Sequence, residues 1–153
     1  MYSLLANKTY IPYRNKTINN IGLVNYLFPN LNKCEYAESN VKQYFNHFYD
    51  TGDFLRTIMA IMKEYDSFSD DGCFGYYPKR DSPYPNDHFE EGLVCFAIGL
   101  DDNESRVFLT ERQFFRYAKQ ACLRFVELHP EHRDFVMNIV DNWKPKYPDK
   151  FLD

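Results

Sequence analysis

The pattern of this 153-residue chain predicts an α+β fold, a single domain in which a small antiparallel sheet packs with several α-helices. Two amphipathic runs precede an apolar strand-turn-strand stretch, and two more follow it. Helices grouped on either side of a hairpin, rather than alternating with single strands, favour antiparallel pairing. Aromatic content is the third observation: 14 Phe, 13 Tyr and one Trp make up 18% of the chain. That many rings can fill a core at this length without metals or disulfides.

Residues 1–33 are rich in Asn, Lys and Tyr, with Pro12 and Pro29 as breakers. They read as extended or irregular, with one short helix around 21–28. Val41, Tyr44, Phe45 and Phe48 then recur at helical spacing over 39–49. Asp50 or Thr51 restarts the pattern, and Phe54, Leu55, Ile58, Ile61 and Met62 mark one face of a second helix over 51–65. Residues 70–87 are a loop punctuated by Gly72, Gly75, Pro78, Pro83 and Pro85, with a short strand at 73–77.

Leu93 through Ile98 is a continuous apolar run, the signature of a central strand covered on both faces. Residues 101–104 (Asp-Asp-Asn-Glu) carry turn chemistry, and 106–109 returns as the partner strand. Thr110-Glu111-Arg112-Gln113 fits a capping box, in which the Thr hydroxyl accepts from the Gln amide while the Gln side chain reaches back. The helix it opens, over 111–128, repeats Phe114, Phe115, Tyr117, Ala118, Ala121, Cys122, Phe125 and Leu128 on one broad face. His129-Pro130 ends that helix and starts another, since Pro is tolerated at a first helical position. The last helix buries Phe135, Val136, Ile139, Val140 and Trp143.

Net charge is −4, but unevenly spread. Lys8, Arg14, Lys16 and Lys33 have no acid among them in residues 1–33, whereas residues 64–91 hold eight acids against Lys79 and Arg80. An acidic surface argues against nonspecific nucleic-acid binding, which depends on clustered cations. It suits either a solvated loop region that keeps the protein soluble or a basic partner, with association that weakens as salt is added. Cys34, Cys73, Cys95 and Cys122 stand far apart and never as CxxC. Cys95 and Cys122 lie in apolar or amphipathic runs and read as small buried hydrophobes. With no signal peptide and no apolar run of membrane-spanning length, the expected location is cytoplasmic, with reduced thiols.

Motifs for chemistry are absent. His129-Pro130-Glu131-His132 lacks the one-turn HExxH spacing of a zinc site and reads as a helix junction. Asp70-Asp71-Gly72 runs straight into Cys73 and Phe74, which breaks an EF-hand pattern. No metal or cofactor is expected. His88, between Asp87 and Phe89 and beside Glu90 and Glu91, leaves a small metal-independent ribonuclease or hydrolase as the alternative. A generic protein-binding adaptor is the other.

Four stretches together form a further pattern: Asp71-Gly72-Cys73 with the proline-rich acidic gap after it; Glu91-Gly92-Leu93-Val94-Cys95-Phe96; Val107 to Tyr117; and Cys122 to Glu131. Over about residues 71–143 this resembles the immunity proteins of bacterial contact-dependent growth inhibition systems, the group paired with ribonuclease toxins. The resemblance implies a cytoplasmic protein without activity of its own that binds one cognate toxin domain and occludes its active site or RNA-binding surface. Such a toxin presents basic groups, which carboxylates can meet. Interface candidates are therefore Asp70, Asp71, Asp81, Asp87, Glu90 and Glu91, with Tyr76, Tyr77 and Tyr84 as anchors. Asp101, Asp102 and Glu104 form a second candidate patch.

Overall fold

The computed structural model describes residues 26–29, 31, 36–70, 72–99 and 105–152. The expected order holds across them. Helix α1 (Tyr36–Thr51) leads into α2 (Phe54–Ile58), then strands β1 (Cys73–Tyr76), β2 (Leu93–Ile98) and β3 (Val107–Thr110), then helices α3 (Glu111–Leu128) and α4 (Arg133–Asp141). The strands form one antiparallel meander, β1-β2-β3. Gly75 pairs with Phe96, and Phe96 with Val107, which sets the register of the core-facing side. The fold is α+β.

Helix α1 buries Val41, Tyr44, Phe45, Phe48 and Tyr49, the i, i+3, i+4, i+7, i+8 stripe of a core-facing helix. Its rings meet the sheet edge-to-face. Tyr44 lies 5.0 Å from both Phe48 and Phe96, and Phe96 stacks on Phe114 of α3 at 5.7 Å. Phe54 and Phe125 stack at 4.5 Å on the far side of the same core. Each such ring contributes about 2 kcal/mol through burial, and each favourable pair about 1 kcal/mol more.

The second helix begins three residues later than its apolar pattern suggests. Gly52, at φ +87°, lets its N–H bond the Tyr49 carbonyl while Asp53 N–H bonds that of Phe48. This is a Schellman stop, and it needs the left-handed backbone that Gly adopts without a Cβ clash. Beyond Ile58 the helix loosens into a π-turn over Met59–Lys63, all of it buried as far as Met62. Tyr65, at φ 52°, ends it.

The capping box forms as expected. Gln113 N–H donates to Thr110 Oγ1 at 3.1 Å, and Thr110 N–H donates to Gln113 Oε1 at 3.0 Å. At the other end of α3, His129 is buried and its Nε2 lies 2.9 Å from the Tyr49 hydroxyl. His132 is buried too, so His129-Pro130-Glu131-His132 is a structural junction. In α4, Val136, Ile139 and Val140 are buried and Phe135 is half-buried, as is Trp143, which lies just past the end of the helix. Phe115, half-buried against the edge of the core, stacks on Trp143 at 4.1 Å.

Most of the expected helix at 21–28 and the expected turn at 101–104 lie outside the described residues. Where the former is described, Leu27 and Phe28 sit in a bend rather than a helix. The buried Asn46 amide holds that bend, accepting from Phe28 N–H at 3.0 Å and donating to its carbonyl at 2.9 Å.

Candidate functional site

Residues 78–91 connect β1 to β2 as a long loop over the outer face of the sheet. Its prolines restrict φ, and hydrogen bonds close it on itself. Lys79 N–H donates to the Asp87 carbonyl at 2.8 Å, and the 3₁₀ turn Pro85–Asp87 is closed by His88 N–H to the Pro85 carbonyl at 3.1 Å. His88 Nε2 lies 2.7 Å from the Ser82 carbonyl, so that nitrogen carries the proton. Ser82 Oγ donates to the Asp87 carboxylate and accepts from Tyr84 N–H at 3.1 Å. Between Pro83 and Pro85 the Tyr84 side chain is driven outward, 68% exposed.

Two other elements hold this loop. On the sheet side, Arg106 donates through Nη2 to the Asn86 carbonyl at 2.7 Å, with its guanidinium 4.9 Å from the Phe108 ring and 5.8 Å from that of Phe89. On the other side, the segment after α4 returns alongside. Glu91 accepts a hydrogen bond from the Tyr147 hydroxyl and pairs with Arg80, and Lys150 stands 3.9 Å from Glu90. The Tyr147 hydrogen bond, helped by the Arg80 and Lys150 charges, holds the Glu91 carboxyl below its usual value of 4.5. A cleft of about 360 Å³ opens between Pro78, His88, Phe89 and Lys150. A second, of about 530 Å³, opens beside Arg80, Asp81, Tyr84 and Asp87.

The structure therefore gathers Asp81, Tyr84, Asp87, Glu90 and Glu91 on one loop, but not as a uniform acidic field. Lys79, Arg80 and Lys150 interleave with them. Asp81 is the exposed carboxylate of the group that makes no ion pair among the described residues. Asp70 sits apart, at the start of β1, with its carboxylate 3.4 Å from His47 Nε2. Tyr76 is buried beneath Arg106. Tyr77 donates its hydroxyl to the Ile61 carbonyl, and burial pushes its phenol well above the ordinary value. The Tyr76 ring belongs to the packing, and that of Tyr77 is half-buried against the core. Asp71, Asp101, Asp102 and Glu104 lie outside the described residues.

Sequence spacing offered no signal for Arg106, Tyr147 or Lys150, because each reaches the loop from a distant part of the chain. Glu111 is the least expected of all. Buried in the first turn of α3, its carboxylate accepts from the backbone N–H of Lys146 at 2.7 Å and of Tyr147 at 3.0 Å, fastening the returning segment.

The arrangement is poor in reactive groups. Cys73, Cys95 and Cys122 are buried thiols, and burial, with the Asp70 charge adding, pushes Cys73 up to about 12. A thiol so protonated is no nucleophile. Among the described residues no cluster of His, Cys, Asp and Glu could hold a metal ion, and no helix is long and apolar enough to cross a membrane. What the loop does offer is a firm, open surface of mixed charge around one projecting aromatic ring, the kind of face another protein covers.

No curated protein matches the chain significantly. A family model, described as CDI immunity protein, matches residues 37–140, a span from the first turn of α1 to the last turn of α4 that includes the whole sheet and the loop. The match takes in well over half of the sequence, and on it the chain belongs to the CDI immunity protein family.

Proposed function

We propose that this toxin-neutralising immunity protein acts on a ribonuclease toxin domain, and that it covers the toxin's active site or RNA-binding surface with the loop at residues 78–91. The family supplies the neutralising role. The observation that carries the docking assignment is Tyr84, an aromatic ring 68% exposed on a backbone already restrained by two prolines and several hydrogen bonds. Large rings on ordered backbone lose little entropy on binding and are typical anchors. Around that ring, Asp81, Asp87, Glu90 and Glu91 would meet the Lys and Arg that a ribonuclease uses to hold phosphate. Asp70, with Asp71, Asp101, Asp102 and Glu104, remains part of the proposed acidic surface as a second contact region. Tight binding would also exclude a large RNA sterically, without any chemistry on the inhibitor's side. Neutralisation in the cytoplasm, where such a toxin would find RNA, fits cysteines kept as buried thiols.

Coexpression with the cognate toxin domain tests the proposal. Cells should survive, their RNA should stay intact, and the two chains should copurify. Cells killed by the toxin expressed alone, with their RNA left intact, would refute the ribonuclease assignment. Dead cells with no complex would refute the neutralising role itself.

A further inference from the structure

The docking loop is held by more than its own hydrogen bonds, and its outer anchor is supplied by residues 144–152, a stretch beyond the family-matched residues 37–140. Four observations describe how that stretch is fastened. Glu111, only 5% exposed, grips the backbone N–H groups of Lys146 and Tyr147. Arg112 donates through Nη1 to the Phe151 carbonyl at 3.1 Å and through Nη2 to that of Pro148 at 3.3 Å. The Tyr65 hydroxyl donates to the Lys144 carbonyl. The Phe151 ring lies against Gly92, where an added Cβ would come within 3.1 Å of it at a φ of +96°. Glu111 and Arg112 are adjacent residues in the first turn of α3, so one rigid helix end holds the whole segment.

Fastened in this way, the segment turns two side chains toward the loop. Tyr147 donates to Glu91 and Lys150 faces Glu90. Glu91 in turn holds Arg80, which shares the second cleft with Tyr84. A continuous line of contacts thus runs from the α3 terminus through Tyr147, Glu91 and Arg80 to the loop that carries the exposed ring.

We infer that residues 144–152 are a strap that keeps the toxin-docking loop in its binding conformation, with Tyr147 and Lys150 as positioning residues rather than contact residues. This rests on the reading that residues 78–91 meet the toxin. Rigid docking loops bind more tightly because the ordering cost is met before the partner arrives. Removing the Tyr147 hydroxyl should therefore weaken binding without deleting any group that touches the toxin.

The test uses the full-length chain in three forms, Tyr147→Phe, Glu111→Gln and Tyr84→Ala. Two readouts apply to each: hydrogen exchange of the loop amides of Lys79, Asp87 and His88, and affinity for the toxin domain. Tyr147→Phe should speed exchange at those amides and lower affinity about three- to tenfold, the effect of one or two side chains left to be ordered on binding. Glu111→Gln should do more, because an amide side chain cannot accept from both N–H groups. Should Glu111→Gln fail to fold, Tyr147→Phe still decides. Unchanged exchange and affinity in Tyr147→Phe, with affinity lost in Tyr84→Ala, would overturn the strap and leave the docking loop standing. Unchanged affinity in Tyr84→Ala would overturn the docking reading, whatever the strap variants do to exchange.

Discussion

The hydroxyl end of the Tyr44 ring lies against Gly75, so close that a Cβ on Gly75 would fall 2.5 Å from Tyr44 Cε2 and 2.6 Å from Cζ. The ring has nowhere to go. It is fully buried, with Phe45, Phe48 and Phe96 edge-on around it and its hydroxyl donating to the Phe68 carbonyl at 2.5 Å. Gly75→Ala should therefore overpack the joint between α1 and β1 and cost about 1–3 kcal/mol. Urea denaturation monitored by circular dichroism would show it as a lower midpoint with an unchanged slope. An unchanged midpoint would mean that the ring moves freely after all.

A second joint, between α1 and the end of α3, depends on the Tyr49 hydroxyl and His129 Nε2. Tyr49→Phe keeps the ring and leaves a buried imidazole nitrogen without that partner. A loss of about 1–3 kcal/mol is expected, larger than for deleting an exposed hydrogen bond. Thermal unfolding of the variant beside the parent protein checks it.

Tyr84 and Tyr76 should separate binding from stability. Tyr84→Ala removes a ring held in water and should shift the unfolding free energy by less than about 0.5 kcal/mol. If Tyr84 anchors the toxin, the same change weakens the complex by about 2 kcal/mol, roughly 30-fold in Kd. Tyr76→Ala, by contrast, opens a hole beneath Arg106 and should destabilise the fold by about 3 kcal/mol or more. Calorimetric titration paired with thermal melts distinguishes the two.

The buried thiols predict the alkaline limit of the fold. Cys73 is pushed up to about 12, mainly by burial with the Asp70 charge adding, and burial pushes the Cys122 thiol and the Tyr77 phenol up as well. These groups hold their protons more firmly folded than unfolded. For the thiols, the stability gained is complete below the ordinary value of 9.0 and is lost as pH rises from there toward the folded value. Glu91 has the opposite sign: its carboxyl is held below 4.5, so its contribution is present above that value and is lost as pH falls through the lowered one. Unfolding midpoints should thus decline above about pH 9. Alkylation at pH 8, mapped residue by residue, should be slower at Cys73, Cys95 and Cys122 in the folded chain than in urea by more than about a hundredfold, because reaction requires opening. Rapid labelling of any of the three in the native state would contradict the packing described.

Much of this architecture was legible beforehand because it is local. The capping box at Thr110 and Gln113, the apolar run of β2 and the Phe-rich stripes of α1 and α3 each bring together residues a few positions apart, where spacing alone decides which side chains share a face. The error at the start of α2 is local too. Its apolar stripe runs on past the break, and only the backbone turn at Gly52 shows where the first helix stops.

The loop is the harder lesson. Eight acids in a short span promised a negative face, yet charge along a chain says nothing about which cations fold back beside it. Arg80, the neighbouring cation, turned toward Glu91, and Lys150, nearly sixty residues away, came to Glu90. Tyr76, Tyr77 and Tyr84 are alike in sequence. A strand carried the first under Arg106, the second reached the Ile61 carbonyl, and two prolines drove the third into solvent.

The order of residues by itself determined the α+β class, the Thr110 capping box, the burial of Cys95 and Cys122 and the lack of catalytic motifs, because all of these follow from periodicity and neighbouring side chains. Only the tertiary structure decided which tyrosine is exposed, how far the acids are neutralised, and that Glu111 straps residues 144–152 against the loop. Those outcomes depend on groups distant in sequence meeting at hydrogen-bond range, and such meetings are set by how the helices pack on the sheet.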